Sequence, residues 1–169
     1  MGNWSNVDYP VMERFFTVQG EGAHSGTAAW FIRLGGCDVG CAWCDVKDSW
    51  DVNAHPKVSC ETLVQEAKKS GAPICVVTGG EPAMHKLDAL TTALHEAGIR
   101  THIETSGTHP LTGVWDWVTL SPKRFKATRE DVFPLADELK VIVVNRQDLP
   151  WGEEHAESVR PDTLLFLQP

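Results

Sequence analysis

Cys37-Asp38-Val39-Gly40-Cys41-Ala42-Trp43-Cys44 places three thiols within eight residues, directly after the apolar run Ala29-Trp30-Phe31-Ile32-Arg33-Leu34 and the pair Gly35-Gly36. Thiolates are soft ligands suited to zinc, copper(I) or iron–sulfur centres. Spacings this short let one loop wrap a single centre, and glycines allow the backbone turns that wrapping needs. Three ligands are one fewer than a closed tetrahedral zinc site or an ordinary electron-transfer cluster uses. An open coordination position is where substrate chemistry can occur. The spacing alone also admits a zinc loop completed by a distant His, or three unrelated buried thiols.

The surrounding chain narrows the class. Its 169 residues are one domain by length, 1–169, with 42% hydrophobic and 22% charged residues as in ordinary globular proteins. A net charge of −8 argues against non-specific nucleic-acid binding, which needs cations to neutralise phosphates. No apolar run reaches the length of a membrane span, and Met1 to Pro10 lacks the basic and apolar blocks of a signal peptide. Five cysteines, three of them clustered, do not suit a secreted disulfide framework, so the reading is cytoplasmic.

Working outward from the cysteine loop, strands and helices alternate. Met12 to Val18 reads as a first strand and Ala28 to Leu34 as a buried strand that delivers the loop. Ser59 caps a helix running to about Lys69, with Leu63, Val64 and Ala67 on one face. Ile74 to Thr78 is a β-branched strand, and Lys86 to Ala97 a second helix stopped by Gly98. Arg100 to Glu104, Trp115 to Leu120, Glu138 to Val144 and Thr163 to Leu167 read as further strands, with a third helix between Asn145 and Val159. Alternation implies parallel pairing and an α/β fold: a partial barrel of about six parallel strands and about three helices, its site gathered where the strands end.

Gly79-Gly80-Glu81-Pro82 follows a strand directly, where two glycines let a ligand approach the backbone and carbonyls and a carboxylate can receive an ammonium group. With the three-cysteine loop about 35 residues upstream, the chain resembles the radical S-adenosylmethionine (SAM) enzymes. In these, three cysteines hold a [4Fe–4S] cluster whose fourth iron binds SAM. A narrower resemblance runs through Thr17-Val18-Gln19-Gly20-Glu21-Gly22, Phe31-Ile32-Arg33-Leu34, the cysteine loop, Thr78 to Pro82, Ile103-Glu104-Thr105-Ser106-Gly107-Thr108, Ser121-Pro122-Lys123 and Glu138-Leu139-Lys140-Val141. In this order the motifs are similar to those of the 7-carboxy-7-deazaguanine synthases, which contract a ring of 6-carboxy-5,6,7,8-tetrahydropterin and release ammonia.

That resemblance implies the site. Cys37, Cys41 and Cys44 would hold the cluster. Trp43, Cys44, Asp45, Gly80, Glu81, Ser121, Pro122 and Lys123 would contact SAM, with Glu104 and Ser106 at its ribose and Gln168-Pro169 at the start of a further contact segment. Val18, Gln19, Gly20, Glu21, Arg33 and Thr78 would contact substrate. The chemistry agrees: Arg33 is a forked cation suited to a carboxylate, and Gln19 and Glu21 can pair with a guanidine-like edge. Their bland alternatives are a rim ion pair and a solvated loop. Lys123, Arg124, Lys126 and Arg129 form a basic patch, read as a solvated face for all but Lys123. Cys60 and Cys75 read as buried apolar residues.

Two departures from the family stand out. Where members often carry Thr or Ser after the Cys-Asp pair to help bind Mg²⁺, this chain has Val46, so a weakened Mg²⁺ requirement is expected. Members also continue beyond a similar Gln-Pro, whereas this sequence stops at Gln168-Pro169. The resemblance implies a homodimer and an electron donor such as flavodoxin or ferredoxin, with no nucleic-acid or membrane partner. The competing readings are a glycyl-radical-enzyme activase, which acts on a protein, and a non-catalytic binding module held by structural zinc.

Overall fold

The computed structural model describes residue 4 and residues 6–169. The strands are β1 (Asp8–Val18), β2 (Ala28–Leu34), β3 (Lys57–Ser59), β4 (Ile74–Gly79), β5 (Arg100–Thr105), β6 (Trp117–Leu120), β7 (Glu138–Ile142) and β8 (Leu164–Gln168). The helices are α1 (Cys60–Ser70), α2 (Asp88–Glu96) and α3 (Asp148–Ala156), with short 3₁₀ turns between. One sheet runs in the order β3-β1-β2-β4-β5-β6-β7-β8. From β2 onward every pairing is parallel, giving the six parallel strands and three helices of the expected partial barrel. The sheet stays open, with β3 at one edge and β8 at the other.

The expectation is corrected at the start of the sheet. The first strand begins at Asp8 rather than Met12, and it runs antiparallel to β2 and to the unforeseen β3. Three residues in β3 are too few for a periodic signal. The sixth strand starts at Trp117, not Trp115, whose indole N–H donates instead to the Thr112 carbonyl at 2.9 Å.

Local chemistry accounts for the elements. In β4, Ile74, Cys75, Val76, Val77 and Thr78 are all buried, as a strand covered on both faces requires. The Ser59 hydroxyl accepts the Thr62 N–H at 3.1 Å at the start of α1, and Gly71 ends it at φ +71°. Pro150 lies in the first turn of α3, where no intrahelical N–H bond is lost. Gly152 brings α3 close enough to β7 that an added Cβ would lie 3.2 Å from Val141. The core divides into a large cluster around Ile32, Leu63, Val77, Leu90 and Ile103, a smaller one of Leu120, Val132, Phe133, Ala136, Leu139 and Val141, and a third of Ala29, Phe31, Ile74 and Val76. No helix is long and apolar enough to cross a membrane among the described residues.

The loop of the β1–β2 hairpin reaches across the concave side of the sheet. Its neck is closed by Gln19 N–H to the Thr27 carbonyl and Gly26 N–H to the Gln19 carbonyl, both 2.8 Å. His24 packs edge-on against Trp117 and His102, each with ring centroids 4.5 Å away. Those rings belong to β6 and β5, neither a sheet neighbour of β1. The hairpin tip therefore covers the sheet from within and carries Gln19, Gly20 and Glu21 over it.

Candidate active site

A cavity of about 390 Å³ opens where the parallel strands end, and nearly every singled-out residue faces it. One wall is the loop after β2, with Cys37, Cys41, Trp43, Cys44, Asp45 and Val46. The loop is tied down by Gly36 N–H to the Ser49 carbonyl at 2.6 Å and Cys37 N–H to the Trp50 carbonyl at 3.2 Å. Asp38 anchors its outer side, accepting from Lys126 Nζ at 2.6 Å and pairing with His109 Nε2 at 3.0 Å. Desolvation pushes the Asp38 carboxyl up, but those hydrogen bonds and charges outweigh it and hold it below the usual range.

Burial raises the thiols of Cys37 and Cys41, while the N–H groups of Val39 and Gly40 favour the Cys37 thiolate. Yet among the described residues no three His, Cys, Asp or Glu side chains converge where one metal ion would sit. Cys60 and Cys75 are fully buried outside the cavity, their thiols raised by desolvation, that of Cys60 to about 11.

The second wall is the turn after β4. Gly79 adopts φ +142°, and a Cβ on it would meet the Leu34 carbonyl oxygen at 2.2 Å. A Cβ on Gly80 would lie 2.3 Å from the Gly36 carbonyl oxygen and 2.8 Å from Cys37 Cβ. The double glycine thus lets this turn lie directly on the cysteine loop. Glu81 is almost wholly buried, and its carboxylate accepts from Ala83 N–H (3.0 Å), Thr105 Oγ1 (2.5 Å), Ser106 N–H (2.8 Å) and Ser106 Oγ. These bonds lock the ends of β4 and β5 together. Gly79 and Gly80 line the cavity beside Glu81, with the Gly80 N–H given to the Leu34 carbonyl at 3.0 Å.

The third wall joins the hairpin loop to the strands. Gln19 Nε2 donates to Glu104 Oε1 at 3.0 Å and Thr78 Oγ1 to Glu104 Oε2 at 3.2 Å. Lys140 Nζ donates to Glu21 Oε2 at 2.5 Å, and Glu138 accepts the Ala23 N–H at 2.8 Å. Arg33 faces the cavity with its Nε–H on Glu13 at 2.6 Å. Gly20, Ser121, Lys123 and Gln168 complete the lining. Lys123 Nζ lies 5.8 Å from the Trp43 ring centroid and donates to Ser121 Oγ at 2.6 Å; burial lowers its pKa to about 8. Val18 is half-exposed and outside the lining, Pro122 lines a smaller neighbouring pocket, and Pro169 lies outside both. The rest of the basic patch is spent on ion pairs: Arg124 with Asp148, Lys126 with Asp38, and Arg129 with Asp131.

The model of the radical SAM superfamily matches residues 31–129. A 7-carboxy-7-deazaguanine synthase of a Synechocystis species is 49% identical over 162 residues, 96% of this chain and 78% of that protein. One from Flavobacterium psychrophilum is 50% identical over 159 residues, covering 94% and 75%.

The chain belongs to the 7-carboxy-7-deazaguanine synthase family of the radical SAM superfamily.

The fold agrees with that membership. The crystal structure of QueE from Escherichia coli superposes with a TM-score of 0.88 at 35% identity, over 98% of this chain and 85% of that one. The family's cofactors, a [4Fe–4S] cluster and SAM, fit the residues present. Three thiols face one cavity, and the double-glycine turn lines it directly beside them. Phe31, Thr105 and Lys140, quoted above as motif residues without a role at the site, also line the cavity, as do Trp50 and Ile142. Lys140 carried a readable signal: in Glu138-Leu139-Lys140-Val141-Ile142 charges alternate with apolar residues, so both charges share one face.

Proposed function

We propose that this protein contracts a ring of 6-carboxy-5,6,7,8-tetrahydropterin to give 7-carboxy-7-deazaguanine and ammonia, a step toward queuosine and related 7-deazapurines. It is a radical SAM lyase, and its relatives carry the synthase name. The observation that carries the reading is one cavity holding both the three thiols and the polar set Gln19, Glu21, Arg33 and Thr78. A protein-activating enzyme has no need of that polar set, and a zinc module no need of an open cavity.

Cys37, Cys41 and Cys44 would hold the cluster, and Gly80, Ser121, Lys123 and Gln168 would flank SAM. Together these groups supply one-electron chemistry able to take a hydrogen atom from an unactivated carbon. The chain's own contribution is placement. Arg33 is a fixed cation for the substrate carboxylate, and Glu21 an acceptor for adjacent N–H donors. Glu104 is already occupied by Gln19 and Thr78, which stiffens the floor on which the ring would lie. The hairpin loop shields that floor from water. Radical steps need contact and orientation more than a tuned acid or base.

The reading extends to a reduced flavodoxin- or ferredoxin-type donor, a homodimer and a cytoplasmic setting, each implied by resemblance. It also includes a weakened Mg²⁺ requirement. Val46 offers no side-chain oxygen, and its carbonyl already accepts the Ser49 N–H at 3.0 Å and Oγ–H at 2.7 Å. Hard cations want free oxygen ligands. Turnover should fall less than about tenfold when Mg²⁺ is chelated; a steep absolute requirement refutes this.

The test of function is anaerobic reconstitution, then incubation with SAM, reductant and the carboxytetrahydropterin. Four irons per chain and a product with the mass of the deazaguanine acid are expected. One zinc and no affinity for SAM would defeat the reading.

A further inference from the structure

Lys140 lines the cavity and is given no part above in holding cluster or SAM. It projects from the middle of β7, is only 7% exposed, and gives one hydrogen bond, to Glu21 Oε2 at 2.5 Å. Burial alone would discharge an ammonium. Here Glu104, Glu21 and Glu138 surround it and keep it charged. An ammonium has three N–H donors, and only one finds an acceptor among the described residues. Glu21 in turn has Oε1 free and its side chain is 44% exposed toward the cavity. The wall therefore presents, side by side, a carboxylate that accepts and an ammonium that donates.

A pterin carries the complementary pattern along one edge: a 2-amino group, the N3–H and the 4-oxo oxygen, in that order. A carboxylate takes two parallel N–H bonds, and an adjacent ammonium can give the third bond to the oxo oxygen. We propose that Glu21 and Lys140 read this edge as a unit, and that Lys140 is the residue selecting oxo over amino at position 4. This rests on the ring-contraction reading and adds a specificity-determining residue to it. A 4-amino group would set donor against donor at Lys140 and also remove the N3–H, so that Glu21 would face a ring-nitrogen lone pair in a poorly solvated wall. Sites built around such a bond discriminate strongly against analogues that cannot make it.

The test measures binding to the SAM-loaded holoprotein by calorimetry, comparing the carboxytetrahydropterin with its 4-thioxo analogue, which keeps the 2-amino group and N3–H that Glu21 reads and weakens only the acceptor that Lys140 reads. Wild type should prefer the oxo compound by at least about tenfold, as expected for weakening of a charge-assisted hydrogen bond. In Lys140→Met that preference should collapse through weaker binding of the oxo compound alone, with iron content and SAM affinity unchanged. Lys140→Arg should restore most of the preference. An unchanged preference in Lys140→Met overturns the proposal, because a lysine that merely positions Glu21 would weaken both ligands equally. A parallel loss of iron or SAM affinity overturns it too. Should wild type fail to bind the pterin, the substrate reading falls separately. Guanine against 6-thioguanine, which share the 2-amino and N1–H donors and differ in the acceptor, then decides the role of Lys140 on its own.

Discussion

Gly40 and Gly80 meet at the cysteine loop for different physical reasons. Gly40 sits at φ +73° with nothing within 4 Å of where a Cβ would be, so alanine there would bear only the left-handed backbone penalty of about 1 kcal/mol. At Gly80 the added methyl meets Gly36 main chain and Cys37 Cβ, neither of which is a flexible side-chain end. Gly80→Ala should push Cys37 out of place at an overpacking cost of about 1–3 kcal/mol. Iron retained after reconstitution should fall at least about twofold in Gly80→Ala and stay near wild type in Gly40→Ala, because only the first displaces a thiol that would hold the cluster. Iron assay with thermal melting of the cluster-free proteins checks this; equal iron in both variants would sink it. The need for close approach was legible in the Gly-Gly pair itself. The orientation of Glu81 was not, since its partners Thr105 and Ser106 lie at and just after the end of β5 and no local pattern pairs them with it.

Among the elements, the β1–β2 hairpin shows how distant parts of the chain fix the site. Periodicity located β2 to the residue, and Gln19-Gly20-Glu21 read correctly as a loop between two strands. That the loop crosses the sheet depends on Glu138, Lys140, His102 and Trp117, more than seventy residues downstream, which no local pattern reveals. The crossing has a measurable cost in acid. Desolvation lowers the His102 pKa to about 4; neighbouring His24 and Arg100 act in the same direction, and Asp116 opposes them. Between the ordinary value of 6.5 and about 4 the unfolded chain takes up a proton that the folded chain refuses. Stability therefore drops as pH falls through that window. His24 and His85, also lowered first by desolvation, add the same sign. Discounted for partial solvent access, His102 should account for on the order of 2 kcal/mol of the loss. Urea unfolding at pH 7 and pH 4.5 should show a smaller drop for His102→Phe than for wild type. An identical drop would mean that His102 is already charged in the fold.

At the scale of the whole molecule the open sheet is unevenly joined. β2 and β4 align over six residue pairs, whereas β6 and β7 meet only at Thr119↔Glu138 and Leu120↔Leu139. The largest core cluster and the one around Leu120 and Leu139 divide near the same seam, and β8 leaves Leu164, Leu165 and Leu167 exposed. Alternation along the chain made the parallel order readable, but the width of each junction is set by pairing register, which alternation does not encode. Segments with few buried contacts open at lower free energy than the core. The β7–α3–β8 unit should therefore exchange its amide hydrogens faster than β2, β4 and β5 in the ligand-free protein. The cavity spans the seam: Cys37, Gly80 and Glu104 line one side, and Lys140, Ile142 and Gln168 the other. Ligands that touch both sides bind only the closed arrangement, and at a hundred times its dissociation constant a ligand adds about 2.7 kcal/mol against opening. Exchange in β7, α3 and β8 should then slow by up to about a hundredfold when SAM and substrate are added to the cluster-loaded protein. The β1–β2 hairpin loop, held to β7 by Glu138 and Lys140, should slow with them. Uniform exchange across the ligand-free sheet, or protection confined to the cysteine loop, would show that the seam does not open as a unit and that the cavity closes by some other route.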